Sequence, residues 1–126
     1  MNLRLSTNEV RVRMNRREAE ALARGERLAQ EIAFPGGARF RYEVHPTRDA
    51  TPPHASLGGA GLSVTVSTDA VHALLAQPPS KDLGLCAELA TSGAAPLKLT
   101  VEIDLFSEEK GPRRRGRAGN EGAQSS

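Results

Sequence analysis

Arginine is the residue whose placement in this chain could do chemistry. Arg4, Arg11, Arg13, Arg39 and Arg41 alternate with apolar neighbours, as in "VRVRM" and "ARFRYEV". Such alternation puts them on the outward faces of strands. If those strands lie side by side, five guanidinium groups share one surface. That surface would bind phosphates, with an affinity that falls steeply as salt rises. Arg16 and Arg17 at a helix start would join it, and "RRRGR" at 113–117 would add a flexible basic arm. The competing reading is a charge-balanced solvated face, because Glu9, Glu18, Glu20 and Glu43 lie close by in sequence. With three Phe, one Tyr and no Trp, the chain is also poor in platforms on which single-stranded bases could stack.

Other chemistries find less material. Glu102 and Asp104 share a strand face, and a partly buried pair of carboxylates can act as acid and base. More often such a pair is the wet side of a sheet. Cys86 falls in an expected strand with Glu88 on the same face, and a neighbouring carboxylate disfavours the thiolate. An ordinary, partly buried thiol is expected. His45, His54 and His72 are scattered, and metal sites need clustered ligands. "GGAG" at 58–61 precedes a strand, so it reads as a turn and not as a phosphate-cradling loop. No catalytic residue, metal ligand or cofactor is expected.

The chain has 126 residues, 38% of them hydrophobic, which suits one domain with a modest core. Its net charge of +2 is uneven. Residues 1–50 sum to +3, residues 51–110 to −4 and residues 111–126 to +3. No run approaches the roughly 20 apolar residues that cross a bilayer. Alternation starts at Leu3, with no signal-like segment before it, and one cysteine suits a reducing compartment. A cytoplasmic location is expected.

These features need elements to hold them. Leu3 and Leu5, then Val10, Val12 and Met14, mark two strands of a hairpin joined through "STNE". Asn15 with Glu18 has the spacing of a capping box, and helix formers run on to Gly25. Leu28, Ile32 and Phe34 propose a third strand, although Gln30 falls on its inward face. "PGG" at 35–37 is a turn, and Phe40, Tyr42 and Val44 carry a fourth strand. Residues 46–53, "PTRDATPP", read as an irregular connector.

The order then repeats. "HASL" and "LSVTVS" are two strands, Ser67 or Thr68 caps a second helix, and Val71, Leu74 and Leu75 are its buried stripe. Pro78 and Pro79 stop it. Leu83 to Leu89 and then "LKLTVEIDLF" complete the copy, with Lys98, Thr100, Glu102 and Asp104 facing outward. Leu22 aligns with Leu74, and Asn15 with Ser67. The expectation is a single α+β domain, residues 1–106, of mainly antiparallel strands in a sheet or half-closed barrel, with two short helices. It holds a pseudo-twofold strand-strand-helix-strand-strand repeat, with halves at about 1–46 and 54–106 whose apolar sides close on each other. Residues 107–126, with nothing apolar larger than Ala, are expected to be a disordered basic tail.

The pattern from Leu3 to Phe106, with "VRVRM", "REAEALARGE" and "LTVEIDLF", resembles a family of short uncharacterised bacterial proteins. That resemblance implies no activity and brings no site. Residues 8–32, "NEVRVRMNRREAEALARGERLAQEI", are also similar to the strand-helix-strand unit of AbrB-type regulators. Those dimerise as swapped hairpins and bind DNA through basic surfaces. The likeness would make Arg11 and Arg13 the matching strand arginines, although Asn15 stands where the pattern has Pro before the helix. Two functions follow as expectations. The first is a small non-catalytic module that binds or assembles with another macromolecule, a protein partner or a second copy. The alternative is a DNA-binding regulator using the arginine face. No membrane partner is expected.

Overall fold

The computed structural model describes residues 1–59, 61–78 and 83–104. The first hairpin is Asn2–Ser6 (β1) and Glu9–Asn15 (β2). It turns at Asn8, which takes a φ of 63°, a left-handed conformation that Asn tolerates better than most residues. The helix Arg16–Ala23 (α1) follows without a loop. The Asn15 side chain accepts from the Glu18 N–H at 2.9 Å, and the Glu18 carboxylate accepts from the Asn15 N–H at 3.0 Å. The expected capping box is therefore formed at both bonds. Gly25, at φ 94°, closes the helix.

Leu28–Ala33 (β3) and Arg39–Thr47 (β4) form the next hairpin around a 3-10 turn at Pro35–Gly37. Gln30 on the inward face has a partner there, because the Tyr42 hydroxyl donates to its side-chain oxygen at 2.6 Å. His54–Gly58 (β5), Gly61–Ser67 (β6) and Thr68–Leu75 (α2) repeat the first three elements. Ser67 caps α2 by accepting from the Ala70 N–H at 3.3 Å. Leu83–Leu89 (β7) and Leu97–Asp104 (β8) finish the described chain.

Among the described residues these eight strands make two open sheets, in the orders β1-β2-β8-β7 and β3-β4-β6-β5. Each sheet takes one hairpin from each half of the repeat. The central pairs, β2 with β8 and β4 with β6, are parallel, and the outer pairs are antiparallel. The fold is α+β with a pseudo-twofold repeat, as expected, but the halves are not two lobes pressed together. They exchange hairpins, so each sheet is completed only by the other half. Both inner faces feed one core, with Val10, Val12, Met14, Leu99, Val101 and Ile103 from one sheet and Val44, Val64 and Val66 from the other.

The register makes the repeat explicit. Val12 faces Val101 across the first parallel pair, and Val64 faces Val44 across the second. The pseudo-twofold therefore exchanges Val12 with Val64 and Val101 with Val44. It likewise relates Leu28 to Leu85, since each lies opposite one of those valines. Leu22 and Leu74 hold the same place in their helices, and both are buried. The helices touch each other at the end where β2 and β6 finish.

Several expectations are corrected. The connector starts later than residue 46, because β4 continues through Pro46 and Thr47, paired with Val66 and Ser67. The β3 pairing stops at Val44, so Pro46 sits where β4 has only one neighbour and a missing N–H is tolerated. Thr100 and Asp104, expected on a wet face, are buried. Cys86 is exposed, not partly buried, because β7 is an edge strand and Cys86 points away from the core. The tail at 107–126, with Pro79, Leu105 and Phe106, lies outside the described residues. None of the described helices is long and apolar enough to cross a membrane.

Candidate functional site

Hairpin exchange decides the fate of the arginines. Arg4, Arg11 and Arg13 lie on the outer face of the first sheet, with Arg4 opposite Arg11. Arg39 and Arg41 belong to the second sheet. Five guanidinium groups therefore do not share one surface. Most are also engaged with carboxylates. Arg13 bonds Asp104 at 2.9 Å and lies 3.6 Å from Glu102, while Arg11 reaches Glu9 at 3.2 Å and Glu102 at 3.7 Å. Arg39 pairs with Glu31 at 2.8 Å, and Arg41 with Glu43. Arg4 alone of the five has no carboxylate partner among the described residues, and it is exposed. The side chains of Arg11 and Arg13 cross over β8, which is why Thr100 and Asp104 are shielded from water.

Glu43 gathers three basic side chains. It accepts from Arg41, lies 2.8 Å from His45 Nε2 and 4.0 Å from Arg27. The hydrogen bond from Arg41 holds its carboxyl below the usual carboxylate range, against an opposing push from burial, with charge attraction from the same arginine adding to the depression. A carboxylate whose pKa is depressed on folding stabilises the fold above its unfolded value, near 4.3, and that contribution is lost as pH falls through the lower folded value. The thermal midpoint should therefore drop on acidification below about pH 4.3, and more shallowly in Glu43→Gln. Midpoints followed by circular dichroism against pH check this; parallel curves would remove the assigned role.

The feature that composition did not reveal lies at the end opposite the helices. There the first residues of β2, β4, β6 and β8 open onto an apolar groove of about 320 Å³. Leu5, Val10, Phe40, Leu57, Leu62 and Leu97 line it, with Ala55 and Ser56. The six are three pseudo-twofold pairs. Leu5 faces Val10 as Leu57 faces Leu62, so Leu5 corresponds to Leu57 and Val10 to Leu62. Phe40 corresponds to Leu97 by the same operation. Ile32, opposite Phe40, and Leu89, opposite Leu97, extend the set by a fourth pair. Each strand thus presents an inward apolar side chain at this mouth, and the internal axis runs through it.

Exposure agrees. Among the described residues, the large hydrophobic side chains left in water are Leu57 at 75%, Leu5 at 59%, Phe34 at 51% and Ile32 at 45%. Leu5 and Leu57 line the groove, Ile32 lies opposite Phe40 of its lining, and Phe34 follows directly after β3 at the same end of that strand. Exposed apolar surface concentrated in one place marks an interaction surface more often than scattered single residues do.

Residues 1–110 match the family described as "Family of unknown function (DUF7009)". The chain belongs to that family. The match takes in every described residue, so both sheets, both helices and the mouth lie within the family's span. No curated protein and no solved structure matches the chain. Membership carries no activity with it, and function has to be read from geometry.

The remaining candidates stay apart. His45 and His54 both lie opposite Thr65, on either side of it, so one strand separates them. Among the described residues, no group of three or more His, Cys, Asp or Glu could hold a metal ion. Glu102 and Asp104 are tied to Arg13. The Cys86 thiol lies 3.9 Å from the Thr100 hydroxyl. The mouth was missed from sequence because Leu5 and Leu57 are unremarkable as strand residues. A signal was present, since each is the next-to-last residue of its strand, at the same place in the repeat.

Proposed function

We propose that the protein is a small non-catalytic module that binds or assembles with another macromolecule through the apolar mouth. The observation that carries this is one groove, at the end left open by the helices, lined by Leu5, Val10, Phe40, Leu57, Leu62 and Leu97, with Leu5 and Leu57 left largely in water. The lining is hydrocarbon except at Ser56, which suits burial against an apolar surface better than acid–base or nucleophilic work. A photoreactive phenylalanine analogue placed at position 57 of the full chain, in the producing cell, is expected to give a discrete covalent adduct with another chain. The same probe at position 4, on the outer face of the first sheet, should give none. Absence of any adduct from position 57 would overturn the reading.

One observation favours a second reading. Arg4, Arg11 and Arg13 do share a face of the first sheet, and residues 8–32, which hold two of them, resemble the strand-helix-strand unit of the swapped-hairpin regulators. Against it, Arg11 and Arg13 already face Glu9, Glu102 and Asp104. A salt titration with random duplex DNA decides: contact predicts a log–log slope of about −0.9 per phosphate neutralised, and no binding at low salt removes it.

A further inference from the structure

We infer that the occupant of the apolar mouth is a second copy of this chain, docked end to end across the internal pseudo-twofold axis. This rests on the mouth being a binding surface and names its partner. The first argument is shape. Leu5 and Leu57 project on opposite sides of a groove of about 320 Å³ through which the axis passes. A second copy, facing the first and turned a quarter-turn about that axis, sets its own two leucines into the groove between them. Each contact is then made several times over, because both surfaces are close to symmetric.

The second argument is area. Taking roughly 200 Å² for a fully exposed large side chain, the exposed fractions of Leu5, Ile32, Phe34 and Leu57 present about 460 Å² of apolar surface. A standard interface buries about 800 Å² per partner, a little over half of it apolar, so this end meets the need.

The third argument is charge. Arg39 with Glu31 flanks one side of the mouth, and Lys98 opposite Glu88 flanks the equivalent side. A rim carrying both signs on both sides accepts its own copy. A nucleic acid would want one sign, and a small ligand would need the converging polar groups that this lining lacks.

Sedimentation velocity on the purified full chain over a micromolar concentration series tests the inference. The expected species is about twice the monomer mass of 13.4 kDa. Leu5→Asp with Leu57→Asp should return it to the monomer with an unchanged far-ultraviolet circular dichroism spectrum, because both side chains are exposed in the single chain, and with a thermal midpoint that no longer rises with protein concentration. Leu57→Ser gives a milder check, expected to weaken association at least tenfold, while Arg4→Glu should leave the dimer intact. A wild-type monomer throughout the series, or a dimer that survives the double aspartate, overturns the inference. If that monomer still gives a position-57 adduct of a mass other than twice its own, the binding reading stands and only the partner is wrong. If neither dimer nor adduct forms, both fall.

Discussion

Truncating Leu99 to alanine is expected to lower the unfolding free energy by roughly 2–5 kcal/mol. Leu99 is fully buried in β8, the strand that sits between β2 and β7. Its side chain enters the core shared by the two sheets, opposite Val10 on one side and Ala87 on the other. Strands on both sides hold it in place, so little can collapse into the space left behind. The loss therefore combines lost transfer free energy with a cavity. Small domains have only about 5–15 kcal/mol in total, so Leu99→Ala would leave the protein marginal. Leu5→Ala removes the same atoms from a position 59% exposed in the single chain and, measured at a concentration low enough to keep the protein monomeric, should change stability by no more than about 0.5 kcal/mol. Urea denaturation of both variants measures the difference. Equal, small losses would mean that Leu99 does not lie in a core common to both halves.

That core was largely legible, and its connectivity was not. Alternation marked Val10, Val12 and Met14, and the strand "LSVTVS", as carrying an apolar face because a strand with one wet face must alternate. Asn15 and Glu18 disclosed the start of α1 through spacing alone, since both partners of the cap lie within four residues. Hairpin pairing is local and followed from the turns. The parallel pairs β2–β8 and β4–β6 join residues about ninety and twenty positions apart, and nothing in a periodicity of two says which distant strand is the neighbour. The arginine surface depended on that unknown. Arg11 and Arg41 both point outward as read, yet exchange of hairpins sends them to different sheets. Pro46 was misjudged for a related reason, because a strand tolerates proline where one side lacks a partner, and that is a tertiary fact. The apolar mouth shares this origin: Leu5 and Leu57 become neighbours across a groove only once both sheets are assembled.

Gly61→Ala tests the exchange at its tightest point. Gly61 begins β6 and lies opposite Arg41 of β4, at a φ of 133° that side-chain-bearing residues rarely adopt. A Cβ there would lie under 3.0 Å from both the carbonyl oxygen and the carbonyl carbon of Arg41, which are backbone atoms unable to swing aside. Relief requires β6 to draw away from β4, which opens the adjoining Tyr42–Leu62 pair and loosens the mouth. The expected loss is about 4 kcal/mol or more, in the range that only backbone strain or core disruption reaches. Gly25→Ala is the control. Its φ of 94° is also unfavourable for alanine, but nothing lies within 4 Å of the added Cβ, so only the conformational penalty of about 1–2 kcal/mol applies. The repeat sharpens the comparison, because the position equivalent to Gly61 in the first half is Glu9, opposite Lys98, and it carries a full side chain. The need for glycine therefore comes from how closely β6 approaches β4, not from the repeat pattern itself. If Gly61→Ala costs no more than Gly25→Ala in the same denaturation experiment, that approach is absent, and the parallel joint between the two halves is wrong with it.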